Sequence, residues 1–183
     1  MKGGYDTDLD AEGPHWSFAV DLYARPAVSE ACLVLQDRLG GDVCLLLFAL
    51  FIAREHQIGL AAGDFARLDD AVTDWRREVI GPLRSLRRRL KLGPHPAPSQ
   101  RTNAMRQHIQ RAELAAEQIE LAMLARCFER CPHVGDTWSA DAAAVLDRLA
   151  HFFSLRLGQP AAASAPEIRA ALKTIADALA QPC

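Results

Sequence analysis

The chain has 183 residues, of which 50% are apolar and 24% are charged, and its formal net charge is −2. This composition is typical of a globular protein and excludes wholesale disorder, and the length suits one well-cored domain. The near-zero charge gives no overall field that would recruit nucleic acid or anionic lipid. Because the five cysteines are an odd number and no export signal is recognisable, we predict reduced core thiols in a cytoplasmic protein.

The N-terminal residues 1–13 are acidic and lack an apolar segment, which predicts a disordered tail and not a signal peptide. Helical spacing then begins at His15, and this first helix ends before Pro26. Apolar residues at i, i+3, i+4 and i+7 from Val28 to Leu39 predict a second helix. The helical core domain is expected to run from residue 14 to residue 157.

The segment from Val43 to Ala53 has no charged or strongly polar side chain. A helix that is apolar on every side must be covered on every side, and this one is too short for a bilayer, which takes about 20 residues. Asp42 is placed to cap its first turn. The fold prediction is therefore all-α: a single compact bundle of about six to eight helices around a central buried helix, 43–53.

The later part of the chain continues the helical pattern. A fourth helix follows Asp64, and Gly81-Pro82 predicts a kink or a break before the next one. A long helix is expected over 102–130, with two apolar stripes that include Ala112 and Leu114. Residues 158–183 are expected to form a linker and a C-terminal amphipathic helix packed on or near the core.

A basic segment lies between Arg76 and Lys91, where only Glu78 is acidic. On a helix, four of its cations share one face, which could hold a phosphate or an acidic protein surface. Equally, the arginines could pair with Asp69 or with carboxylates of the long helix. No nucleic-acid-binding motif accompanies the segment. The candidate anion- or partner-binding residues are Arg76, Arg84, Arg87, Arg88 and Lys91.

Three glutamates, Glu113, Glu117 and Glu120, follow one another on the long helix at helical spacing. Bundle di-metal sites use a Glu-x-x-His pair, which is missing here, so we predict no metal and favour hydrogen bonds to the basic segment. Cys127, Cys131 and His133 lack the second cluster that structural zinc needs. No nucleophile–base pair or phosphate loop is recognisable, so neither a catalytic residue nor a cofactor is predicted.

Aromatic residues are concentrated in the N-terminal half of the chain. Such residues at helical spacing are commonly core, but they can also line a pocket for an apolar ligand. The candidate pocket or core aromatics are Trp16, Tyr23, Phe48, Phe51 and Trp75.

One set of motifs resembles a known family. It comprises Trp16-x-Phe18-Ala19, Leu22-Tyr23, Asp42-Val43, Trp75-Arg76 and Pro82-Leu83-Arg84. The set resembles an uncharacterised proteobacterial family, domain of unknown function 2390, from Trp16 to about Lys91 and more loosely through Glu113-x-x-Ala116-Glu117. Cys44 and Phe51 replace the Asn and Trp that the family tends to carry. The resemblance implies a small bacterial cytoplasmic protein and no particular activity.

Three hypotheses for function follow. The first is a non-enzymatic binding, adaptor or regulatory protein that contacts another protein through the basic helix face. The second is a protein that binds a small anionic or hydrophobic ligand in an aromatic pocket, with Arg84 or Arg87 at the anionic group. The third is an enzyme with an Arg/Glu cleft.

Overall fold

A computed structural model describes residues 9–92, 99–131 and 138–181 of the chain. All regular structure in these ranges is helical, so the predicted all-α bundle is confirmed. Residues 1–8 of the predicted tail over 1–13, residues 93–98, His133 and Cys183 lie outside the described residues.

The structure contains eight α-helices, a π-helical segment and a 3₁₀ segment in the described ranges. Their bounds are α1 Pro14–Tyr23, α2 Val28–Leu39, α3 Val43–Glu55, α4 Ala62–Trp75, a π-helical segment Arg76–Ile80, α5 Gly81–Leu92, α6 Ser99–Arg130, α7 Ala142–Arg156, a 3₁₀ segment Pro160–Ser164, and α8 Pro166–Ala180.

Helix α3 is the centre of the bundle. Every residue from Cys44 to Ala53 is buried, and α1, α6 and α7 make its most extensive contacts. The predicted cap is present, because the Leu45 backbone N–H donates to Asp42 Oδ1 over 2.6 Å. In the part of the chain that the structure describes, no helix combines the length and apolarity needed to cross a membrane.

Of the kink or break expected at Gly81-Pro82, the break does not occur, because α4, the π segment and α5 follow one another without a gap. The Gly81 N–H donates to the Arg76 carbonyl, five residues earlier. This wider turn accommodates a proline, whose ring would clash with the carbonyl of an ordinary α-helical turn. Glycine also suits the site, since a Cβ at position 81 would lie 3.2 Å from the Arg76 oxygen.

The buried face of α6 differs from the predicted stripes. Ala112 and Leu114 are exposed, whereas Glu113 and Glu120 are buried. The cause is the neighbouring segment from Arg76 through α5, which presents arginines to these carboxylates. Charge pairing between helices therefore outweighs the apolar pattern of this one helix.

The C-terminal helix α8 packs on α2 and α7. Its inward residues, among them Leu172 and Ile175, belong to the same hydrophobic core as α3. Arg54 Nη1, from the end of α3, donates to the Leu179 carbonyl over 2.6 Å. The segment expected as a linker contains the 3₁₀ turns of Pro160–Ser164.

Candidate functional site

A concavity with a volume of about 920 Å³ lies between α1, α2, α3, α5 and α6. We call it the amphipathic cleft. Its lining includes Trp16, Ala19, Val20 and Tyr23 of α1, Leu33, Gln36 and Asp37 of α2, Val43, Cys44 and Leu47 of α3, Arg84, Arg87, Arg88 and Lys91 of α5, and Arg106, Gln110, Glu113, Leu114, Glu117 and Leu121 of α6.

A belt of hydrogen-bonded ion pairs crosses the middle of the cleft. Arg84 donates to Glu113 from Nε over 3.0 Å and to Glu117 from Nη2 over 2.8 Å. Its Nη1 donates to Gln36 Oε1 over 2.9 Å. Arg87 forms a second pair with Glu113, through both Nε and Nη2. Arg84 thereby ties α2, α5 and α6 together.

The two glutamates of the belt have pKa values displaced in opposite directions. Burial on its own would raise the pKa of Glu113, but hydrogen bonds from Arg87 and Arg84 outweigh it and lower that pKa. Glu117 is partly buried, and since only Arg84 opposes the effect of burial, its pKa is raised. The Glu113 carboxyl group therefore loses its proton more readily than an ordinary glutamate, and the Glu117 carboxylate binds a proton more readily.

One end of the cleft carries cations that lack close partners. Arg88 lies 3.9 Å from Asp37, and both side chains are exposed. Lys91 and Arg106 form no ion pair with any residue that the structure describes, and the Arg106 Nε is buried without a hydrogen-bond partner there. An anion placed at this end would meet positive charge that is not already neutralised.

The other end of the cleft is apolar. Trp16 and Ala19 of α1 face Leu47 of α3 and Leu121 of α6 across it, and both leucines are buried in the core. Val20, Tyr23, Leu33 and Leu114 extend this surface outward, and each is more than a third exposed. The side chains that line the cleft are therefore cationic at one end and apolar at the other.

Arg76 belongs to a separate cluster beneath the cleft. Its guanidinium lies 2.8 Å from Asp42 Oδ2, 2.8 Å from Asp69 Oδ1 and 3.1 Å from Glu120 Oε1. Arg156 of α7 also contacts Asp69. Asp69 and Glu120 are buried, so these contacts compensate carboxylates that water cannot reach.

Within this cluster Glu120 carries the clearest pKa shift. Burial, followed by repulsion from Asp42, raises the pKa of Glu120 to about 8 despite the attraction of Arg76. Burial raises the pKa of the neighbouring Cys44 thiol well above its usual value. Both groups therefore hold a proton at neutral pH.

Within the part of the chain that the structure describes, Asp42, Cys44 and Glu120 bring three potential ligand atoms within 4.8 Å of one another. The Arg76 guanidinium already contacts both carboxylates, and the thiol retains its proton. Bound metal would have to displace the arginine and deprotonate the cysteine. The trio is better described as part of a hydrogen-bonded ion cluster, and we assign no metal to it.

The structure separates the candidate aromatic residues. Trp16 and Tyr23 line the amphipathic cleft. Phe48 and Phe51 line a smaller cavity of about 440 Å³, where rings of His15 and His56 pack edge-on against Phe51. Trp75 lines neither cavity and donates from Nε1 to the Ala116 carbonyl over 3.0 Å. Phe48 and Phe51 therefore share a cavity that Trp75 does not line.

Several residues of the site were not predicted from the sequence. Arg106 and Gln110 precede Glu113 and Glu117 on one face of α6, and this polar stripe could have been found from its spacing. Gln36 and Asp37 are contributed by a different helix. No local pattern connects them to the basic segment, so only the assembled bundle identifies them.

Comparison with known proteins places the chain in a family. A family model described as "Protein of unknown function (DUF2390)" matches residues 14–124. The chain belongs to this family. No curated protein and no solved structure matches the chain. Among the described residues, all that line the amphipathic cleft, from Trp16 to Leu121, fall within the DUF2390 segment, whereas α7 and α8 lie beyond it.

Proposed function

We propose that this DUF2390 protein binds a small amphipathic molecule with an anionic group in the amphipathic cleft. The single observation that carries the proposal is the mixed lining of the cleft, which combines the cations Lys91 and Arg106, neither ion-paired among the described residues, with apolar side chains such as Trp16 and Leu47. A ligand with a charged end and an apolar end would satisfy both ends at once. The volume of about 920 Å³ lies in the range of small-molecule sites, about 300–1,000 Å³.

The arrangement of the belt also supports ligand binding. Arg84 and Arg87 are held by Glu113, Glu117 and Gln36 before any ligand arrives. Side chains that are already fixed lose little conformational freedom on binding, which favours affinity. In this proposal Arg84 and Arg87 shape the cleft, and the anionic group contacts other cations.

An adaptor role, in which the basic face of α5 binds another protein, has less support. Arg84 and Arg87 lie in the cleft and are paired with carboxylates, so they are not available as a free charged surface. Arg88, Arg89 and Lys91 remain exposed on α5. A cytoplasmic location remains an expectation that goes with either role.

Binding can be tested with 8-anilinonaphthalene-1-sulfonate, an anionic apolar dye whose fluorescence rises in apolar sites. We expect one dye per chain, and we expect Leu114→Glu to weaken binding by about tenfold, or about 1.4 kcal/mol. Leu114 lines the cleft and is 51% exposed, so a glutamate there repels the anion without entering the core. Fluorescence titration gives the affinity and the stoichiometry.

Leu155→Glu is the matched control, because Leu155 is 53% exposed on α7 and does not line the cleft. Both changes replace one exposed helical leucine with glutamate, so a general charge effect would weaken dye binding equally in the two variants. Equal weakening, or several dyes per chain, would argue against a site in the cleft.

A second candidate function is acid–base catalysis on the bound molecule, with Glu117 as the proton-transfer group. It is favoured by the opposite pKa displacements of Glu113 and Glu117 beside Arg84. The test is mass spectrometry of bound ligands after incubation. Turnover that Glu117→Gln abolishes while binding persists would support catalysis, whereas unchanged recovery of each bound ligand would leave binding as the function.

A further inference from the structure

The charged side chains that line the amphipathic cleft do not balance. Eight of them face it: the cations Arg84, Arg87, Arg88, Lys91 and Arg106, and the anions Asp37, Glu113 and Glu117. With all of them ionised, two positive charges are in excess. A ligand that neutralises the cleft therefore carries two negative charges.

The contacts show which two cations are in excess. Arg84 pairs with Glu117, Arg87 pairs with Glu113, and Arg88 lies near Asp37. Once these pairs are made, Lys91 and Arg106 remain, and neither has an ion pair in the described ranges. The surplus charge is thus localised on two particular side chains.

The register of α5 against α6 places these two cations at the same end of the cleft. Arg84 contacts Glu117, and Arg87, further along α5, contacts Glu113, which comes earlier in α6. The two helices therefore run antiparallel. Lys91 lies one turn beyond Arg87 on α5, and Arg106 lies about two turns beyond Glu113 on α6, in the same direction.

We propose that the anionic group of the ligand is a phosphate monoester, held by Lys91 and Arg106, with an apolar chain directed toward Trp16 and Leu47. This inference rests on the proposed function and specifies its ligand class. A phosphate monoester carries about −1.5 to −2 charges at pH 7 and offers three acceptor oxygens. Arginine binds phosphate through two parallel hydrogen bonds, and lysine acts as a point charge beside it.

A carboxylate or a phosphodiester fits this end less well. Each carries one negative charge, so one of the two surplus cations would stay uncompensated beside the ligand. Inorganic phosphate has the charge but lacks the chain, so it would leave the apolar end at Leu47 and Leu121 uncovered. The preferred ligand combines the dianion with the chain.

The experiment compares four probes by isothermal titration calorimetry at pH 7.5, each below its micelle concentration. They are dodecyl phosphate, its methyl diester, dodecanoate and inorganic phosphate. We expect dodecyl phosphate to bind at least about tenfold more tightly than each of the others, because it alone supplies both two charges and a chain. Equal affinity of the diester or dodecanoate would overturn the phosphate assignment, and equal affinity of inorganic phosphate would overturn the role of the chain.

Variants then locate the phosphate. With the double substitution Lys91→Gln and Arg106→Gln, the affinity for dodecyl phosphate is expected to exceed the affinity for its diester by no more than about threefold. Arg89→Gln is the matched control, because Arg89 is exposed on the same helix and does not line the cleft. An advantage that persists in the double variant would overturn the assignment to these two residues.

Failure of this inference differs from failure of the proposed function. If the fluorescent dye and dodecanoate bind in the cleft but dodecyl phosphate gains nothing over them, the cleft binds amphipathic anions without a phosphate preference. If neither the dye nor any of the four probes binds, the proposed function is wrong, and the phosphate inference is overturned with it.

Discussion

Replacing Arg76 with alanine is expected to lower the free energy of unfolding by about 3–5 kcal/mol. Arg76 is the shared partner of Asp42, Asp69 and Glu120, and the last two are buried. Without it, the buried Asp69 carboxylate keeps only Arg156 as a compensating charge among the described residues, and the buried Glu120 carboxyl loses its hydrogen bond from Arg76. Denaturant unfolding followed by circular dichroism at pH 7 measures the effect.

Arg77→Ala provides the matched control on the next residue of the same π segment. Arg77 is 63% exposed, and its partners Asp74 and Glu78 are also exposed, so water can replace its interactions. We expect the denaturation midpoint of this variant to match that of the original protein. Similar losses in the two variants would show that the helix, and not the buried ion cluster, is sensitive to substitution.

Glu120→Gln is expected to change how stability depends on pH. In the folded protein, burial followed by repulsion from Asp42 raises the pKa of Glu120 to about 8, against an ordinary value of 4.5. Between these two pH values the folded chain keeps a proton that the unfolded chain releases. The contribution of Glu120 is therefore present in full below about pH 4.5, is lost as the pH rises to about 8, and stays constant above that.

Glutamine cannot ionise, so the free energy of unfolding of the Glu120→Gln variant does not fall in this way as the pH rises from about 4.5 to about 8. Relative to the variant, the original protein is expected to lose about 2–4 kcal/mol between pH 5 and pH 9. Unfolding free energies at several pH values measure this difference, with Glu129→Gln as a control because Glu129 is exposed on the same helix. Parallel pH profiles for the original protein and Glu120→Gln would contradict the raised pKa.

The ion cluster and the cleft share one structural element. Glu113 and Glu117 line the cleft and Glu120 lies in the cluster, all on one side of α6. Arg76, at the start of the π segment, pairs with Glu120, and Arg84 of α5 pairs with Glu113. The helix that carries the cations of the cleft is therefore attached to α6 at two points. Because the π segment accommodates Pro82 without a break between α4 and α5, Arg76 and Arg84 lie on one continuous helical element.

Several features of the fold follow from local sequence alone. The apolar segment beginning at Val43 predicts a buried central helix, because a helix with no polar side must be covered on all sides. Asp42 predicts its cap, because the acceptor and the free N–H are only three residues apart. The shared face of Arg84, Arg87 and Lys91 follows from the helical repeat in the same way.

Other features were decided by the tertiary structure. The same sequence pattern allowed the basic face to be exposed or paired. The register between α5 and α6 brings Arg84 and Arg87 to Glu113, while Lys91 forms no ion pair with a residue in the described ranges. Burial of Glu113 in place of Leu114 has the same origin. Helical spacing fixes which residues share a face, but which charges meet depends on contacts between residues far apart in sequence, and these exist only once the helices have packed.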